Sequence, residues 1–139
     1  GGYCLPKDSK QLLSNFKGIP QSLISATINS NVTRKDFIVK TIKDMNISDI
    51  GIYRVIMKSG SDNIKSSAIQ DIMHRLKVSG HNIFIFEPSM QKEDMPEYKL
   101  INSLEEFKKI SGVILANRIT DEIKDVSNKV FSRDLFKNN

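Results

Sequence analysis

The sequence predicts an α/β fold, a parallel sheet with crossover helices, preceded by one long helix. From Ile47 onward short β-rich runs alternate with helical ones, which is the pattern of strands joined in parallel through helices. Before Ile47, apolar residues recur at approximately helical spacing from Ile24 to Met45. Gly18, Gly80 and Gly112 fall where helices in this scheme should stop.

In order along the chain, Asp8 with Gln11 fits a helix N-cap and its capping-box partner. Leu12, Leu13 and Phe16 then supply the apolar side of a short helix that Gly18 ends. Pro20 suits the first turn of a second helix carrying Ile24, Ile28, Val32, Ile38, Ile42 and Met45 on one stripe. One small domain cannot cover so long a stripe, so part of it should serve another domain or subunit. Strands are expected at 50–55, 82–87, 98–101, 113–117 and 130–132. Between the first two, Ile64, Ala68, Ile69, Ile72, Met73 and Leu76 line a helical face that Gly80 closes, which makes a βαβ unit. Ser103 with Glu106 opens a short helix through Phe107 and Ile110, and a last short helix includes Ile119, Ile123 and Val126. The stretch 88–97, with two prolines and mixed charge, reads as the most mobile loop.

A chain of 139 residues, 39% hydrophobic and 27% charged, is long enough to bury a core and too apolar for disorder. The net charge of +5 is scattered among acidic residues, without the basic and aromatic interleaving that tracks a nucleic acid strand. Neither nucleic acid nor a membrane is expected as a partner: no run approaches the roughly 18–20 apolar residues that cross a bilayer. Nothing at the start resembles a signal peptide, and the lone Cys4 fits a reducing compartment, so a cytoplasmic location is expected. The opening Gly-Gly, with the most motif-like segment at the extreme N-terminus, reads as a piece of a longer protein.

Ligands of open parallel sheets bind beyond the carboxyl ends of the strands. That rule selects Lys58 in the loop after the first strand, Asn117-Arg118 after a later one, and Ser132-Arg133-Asp134 after the last. Cations converging on one edge suit a phosphate or diphosphate, although lysines and arginines beside strand ends are most often solvated surface groups. The chain has no G-x-G-x-x-G and no P-loop, so it offers no complete dinucleotide site, and no residue is assigned to a metal. Cys4 sits in an unusual context. Two glycines allow close backbone approach, Pro6 stiffens the segment, and Lys7 with the following helix N-terminus favours the thiolate. His74 and His81 lie on or beside regular elements and read as structural or exposed, which leaves a cysteine–histidine protease little support.

Gly1-Gly2-Tyr3-Cys4-Leu5-Pro6-Lys7-Asp8 followed by Ser9-Lys10-Gln11-Leu12 resembles the active-site segment of the UDP-glucose 6-dehydrogenases. The similarity continues through Gly51-Ile52-Tyr53-Arg54-Val55-Ile56-Met57-Lys58-Ser59 to Val130-Phe131-Ser132-Arg133-Asp134. The resemblance implies a Rossmann-like UDP-sugar-binding domain over 47–139, a central dimerisation helix over 19–46, and the catalytic cysteine segment over 1–18. It implies a homodimer that oxidises UDP-glucose to UDP-glucuronate for surface polysaccharide, with NAD held mainly by an N-terminal domain outside this chain. Cys4 would be the nucleophile and Asp8 would position the hydrolytic water. Gly1, Lys58 and Arg133 would hold the UDP-sugar; Lys7 and Lys65 would lie toward NAD. Lys65 stands where the family commonly has an arginine, and so lacks the planar fork. Dehydrogenases of UDP-N-acetyl-mannosamine or GDP-mannose, sharing the cysteine chemistry, and a non-catalytic binding or dimerisation module with an inert Cys4 are the alternatives.

Overall fold

The computed structural model describes residues 4–56 and 68–132. Helix α1 spans Cys4–Asn15 and α2 spans Leu23–Asp44, followed by β1 (Asp49–Tyr53), α3 (Ala68–Val78) and β2 (Asn82–Phe86). Then come β3 (Lys99–Leu100), α4 (Leu104–Ile110), β4 (Val113–Ala116), a 3₁₀ segment (Asp121–Lys129) and β5 (Val130–Phe131). All five strands are parallel, in the order β3-β2-β1-β4-β5. This is the Rossmann-like order of the expected fold, with its reversal point between β1 and β4.

Strands buried on both faces should be nearly continuous apolar runs, and β1 and β4 are. Alternation along β1 sends Ile50 and Ile52 to one side, where they meet Ile38 and Ile42 of α2 and Ile72, Met73 and Leu76 of α3. Tyr53 goes to the other side, into a core with Phe86, Phe107 of α4, Ile114 and Ile123. Gly51 shares that second face: a Cβ there would stand 2.3 Å from Ser111 Oγ and 2.8 Å from the Phe107 ring. The residue is glycine because α4 lies against its backbone.

Helix ends follow the sequence signals closely at α3 and α4. Gly80 adopts φ 90°, its N–H donating to Lys77 O, while the His81 N–H donates to Leu76 O. That pair of bonds is a Schellman cap. Ser103 Oγ accepts from the Glu106 N–H at 3.3 Å. Asn46, at φ 54°, plays the left-handed role after α2 and turns the chain into β1.

Three elements depart from expectation. Helix α1 already includes Cys4, so Asp8 is an interior residue and not an N-cap. Pro6 permits this, because within a first turn its missing N–H would have had no helical acceptor. Helix α2 starts at Leu23 after Ser22, leaving Pro20 in the connection. The segment expected as a last short α-helix is 3₁₀ and is broken at Val126 (φ −113°, ψ 25°). Lys108 and Lys129 fix it instead: Lys108 Nζ reaches Asp125 at 2.8 Å, and Lys129 Nζ donates to Ser111 O at 3.0 Å.

Candidate functional site

The carboxyl edge of the sheet gathers Arg54 and Ile56 after β1, Glu87 after β2, Asn117 and Arg118 after β4, and Ser132 after β5. Arg54 adopts φ 55°, a left-handed conformation that a non-glycine residue holds at a cost of about 1 kcal/mol or more. Its surroundings fix it. The Arg54 N–H donates to Phe86 O at 2.9 Å, and its guanidinium reaches Glu122 at 2.9 Å. Tyr53 donates to the same Glu122 carboxylate and shares a hydrogen bond with Thr120 at 2.7 Å. Burial, and then the Glu122 carboxylate at its hydroxyl, push the Tyr53 phenol above its ordinary value. Hydrogen bonds from Tyr53 and Arg54 hold the Glu122 carboxyl below its own.

Glu87 is buried at the end of β2, and its carboxylate accepts from the Ile56 N–H at 3.1 Å and from Ser89 Oγ at 2.8 Å. It therefore anchors the exit of β1, the point from which the chain runs toward Lys58. This anchor was invisible in sequence, where Glu87 is merely the last residue of a strand. Strand-end position combined with an apolar run before it is the signal that could have marked it.

One depression lies at this edge and a second adjoins it along α2. The first, of about 280 Å³, lies between α2 and the ends of β4 and β5, lined by Asn31, Arg34, Asn117, Arg118 and Ser132 over a floor including Ile38 and Leu115. A larger and more open one, of about 730 Å³, shares Asn31, Arg34 and Lys35 with the first and extends to Leu5, Pro6, Ser9 and Lys10 of α1. The depression beside the cysteine-bearing helix thus adjoins the one at the sheet edge, with α2 along both.

Cys4 is exposed in the first turn of α1, and Lys7 and Asp8 one turn further on are exposed and 3.4 Å apart. Gly1, Lys58, Lys65 and Arg133 lie outside the described residues. Arg118, selected by the strand-end rule, does line the smaller depression. Arg34 does too, and sequence reasoning missed it because it sits on a helix read as purely structural. Its place one turn before the buried Ile38, on the same stripe, is a signal that could have found it. His81 is structural, its Nδ1 2.9 Å from Ile47 O, and His74 is exposed.

A family model described as the UDP-glucose/GDP-mannose dehydrogenase family, UDP binding domain, matches residues 51–138. A UDP-glucose 6-dehydrogenase of Streptococcus pneumoniae is 48% identical over 136 residues, which are 98% of this chain and 34% of that protein. Another, from Campylobacter jejuni subsp. jejuni, is 44% identical over 138 residues, 98% of this chain and 35% of its own. The chain therefore spans about a third of the length of these relatives. Among solved structures, a ternary complex of a Pseudomonas aeruginosa GDP-mannose dehydrogenase aligns with 95% of the chain and 35% of its own, at a TM-score of 0.80 and 19% identity, a likeness of fold.

Proposed function

The chain belongs to the UDP-glucose/GDP-mannose dehydrogenase family, and from that premise we propose that it is the nucleotide-sugar-binding part of an NAD-dependent UDP-glucose 6-dehydrogenase. The observation that carries this reading is the pair of adjoining depressions, sharing Asn31, Arg34 and Lys35, that link the cysteine-bearing helix to the carboxyl ends of β4 and β5 in a parallel sheet. A nucleotide diphosphate lying at the sheet edge would point its sugar along α2 toward α1. Lys58, Arg133 and the Gly1 backbone are assigned to the UDP-sugar, Lys7 and Lys65 to the side facing NAD.

The reaction asks a nucleophile to hold an aldehyde-level carbon while it is oxidised again. The Cys4 thiolate adds to the C6 aldehyde, the carbonyl oxygen taking the electron pair and then a proton, and a thiohemiacetal results. Two NAD molecules, bound in turn, would supply the oxidising power, each taking one hydride: the first when the alcohol becomes the aldehyde, the second when the thiohemiacetal becomes a thioester. Water, positioned by Asp8, then adds to the thioester, Cys4 leaves as thiolate, and UDP-glucuronate is the product. An exposed thiol suits this role, because its sulfur is open to attack on a substrate carbon. The described residues hold no dinucleotide fingerprint, so NAD would be bound chiefly by the part of the protein that relatives carry beyond this chain. No helix among the described residues is long and apolar enough to cross a membrane, which agrees with an enzyme of the cytoplasm. Exposed Leu23, Val32 and Phe37 support a homodimer built along α2.

Calorimetric titration of the chain with UDP, with GDP as control, tests the nucleotide assignment. UDP should bind and GDP should bind more weakly; equal binding of both would sink the uridine assignment. Given UDP-glucose and NAD, the same preparation should form no NADH, and its appearance would place the whole catalytic site within these residues.

A further inference from the structure

The structure assigns a diphosphate-binding role to two arginines, Arg34 of α2 and Arg118 after β4, which line the smaller depression from two separate elements. The identity of the nucleotide rests on the function proposed above; the anion site does not. Four arginines lie among the described residues. Two are committed to structural ion pairs, Arg54 with Glu122 and Arg75 with Asp71 and Asp36. Arg34 and Arg118 have no ion-pair or side-chain hydrogen-bond partner among the described residues, and both line the same 280 Å³ depression.

Charge and shape both favour an anion there. Among the described residues no carboxylate lines the depression, and Lys35, the third cation in its wall, is already paired with Asp71. Ile38, Ile69, Ile72 and Leu115 make an apolar floor, next to which charge-assisted bonds weaken less than in open water. A guanidinium presents paired donors that match phosphate oxygens, and two such forks from two separate elements suit two linked phosphoryl groups. The volume falls just short of the roughly 300–1,000 Å³ that encloses a whole small ligand. It fits the charged middle of one, with the remainder continuing past Arg34 into the larger depression toward α1.

The test is titration of the 139-residue chain with inorganic diphosphate, UDP and uridine, for wild type, Arg34→Gln and Arg118→Gln. Each loss of a charged hydrogen-bond donor should weaken diphosphate and UDP binding by about tenfold or more, leaving uridine binding unchanged. Arg34→Lys and Arg118→Lys should recover only part of the affinity, because they restore charge without the fork. Far-ultraviolet circular dichroism of each variant should match wild type, so that lost binding reports the site and not the fold. UDP and diphosphate binding unaffected in both glutamine variants would overturn the assignment while leaving the uridine-nucleotide reading intact. Diphosphate binding that is lost in the variants, with UDP bound no better than GDP, would keep the anion site and remove that reading. Failure of wild type to bind either anion would overturn both.

Discussion

At Gly51 one hydrogen atom decides how closely α4 can approach the sheet, since any side chain would run into Ser111 and the Phe107 ring. Gly51→Ala should lower stability by about 1–3 kcal/mol through overpacking, measured as a lower urea midpoint. A midpoint equal to wild type would mean that α4 can withdraw without loss. Nothing in the pattern of residues 50–55 distinguishes this glycine from a harmless break in a strand, because the clash partners lie far along the chain. The same limit applies to the site. Arg118 was legible because it follows a strand, whereas Arg34 and Glu87 acquire their places only when α2 and β2 dock. Conversely, Gly80 and Ser103 were legible because a cap is a local bond between neighbours.

Helices α2 and α3 meet through Ile38, Ile42 and Ile72 and are tied at the surface by an ion cluster: Lys35 and Arg75 both engage Asp71, and Arg75 also engages Asp36. Burial raises the Asp71 carboxyl, but hydrogen bonds from Arg75 and Lys35 outweigh it and hold the group below its ordinary value. The folded state therefore binds the Asp71 proton less readily than the unfolded state. Its stabilising contribution is complete above the ordinary carboxylate value and is lost as pH falls through the depressed one. Asp71→Asn should flatten the decline in urea midpoint below about pH 4, and a curve parallel to wild type would show that the cluster contributes nothing measurable. The partial exposure of these groups keeps the effect modest. At this scale the sequence announced which elements exist better than where they begin. The Asp8 and Gln11 pair mimicked a helix start, although α1 runs through it, because capping residues are also tolerated within helices.

For the whole molecule, the three layers and the strand order follow from alternating apolar runs, and these were readable because a buried parallel strand has to be apolar on both faces. What one chain does with the rest of α2 is a matter between molecules. Phe37 is 53% exposed and Leu23 79%. If α2 builds the proposed homodimer, Phe37→Glu should convert a dimer into a monomer in sedimentation equilibrium without changing the circular dichroism. A wild-type chain that sediments as a monomer would refute that assembly. The two outermost strands, β3 and β5, each contribute only two residues to the ladder. Such stubs give a stray chain almost no backbone to zip onto, so the fold resists growing sideways into fibrils. Clumping on heating or at high concentration should accordingly begin at the greasy flank of α2, and the Phe37→Glu chain should remain clear where the parent turns cloudy.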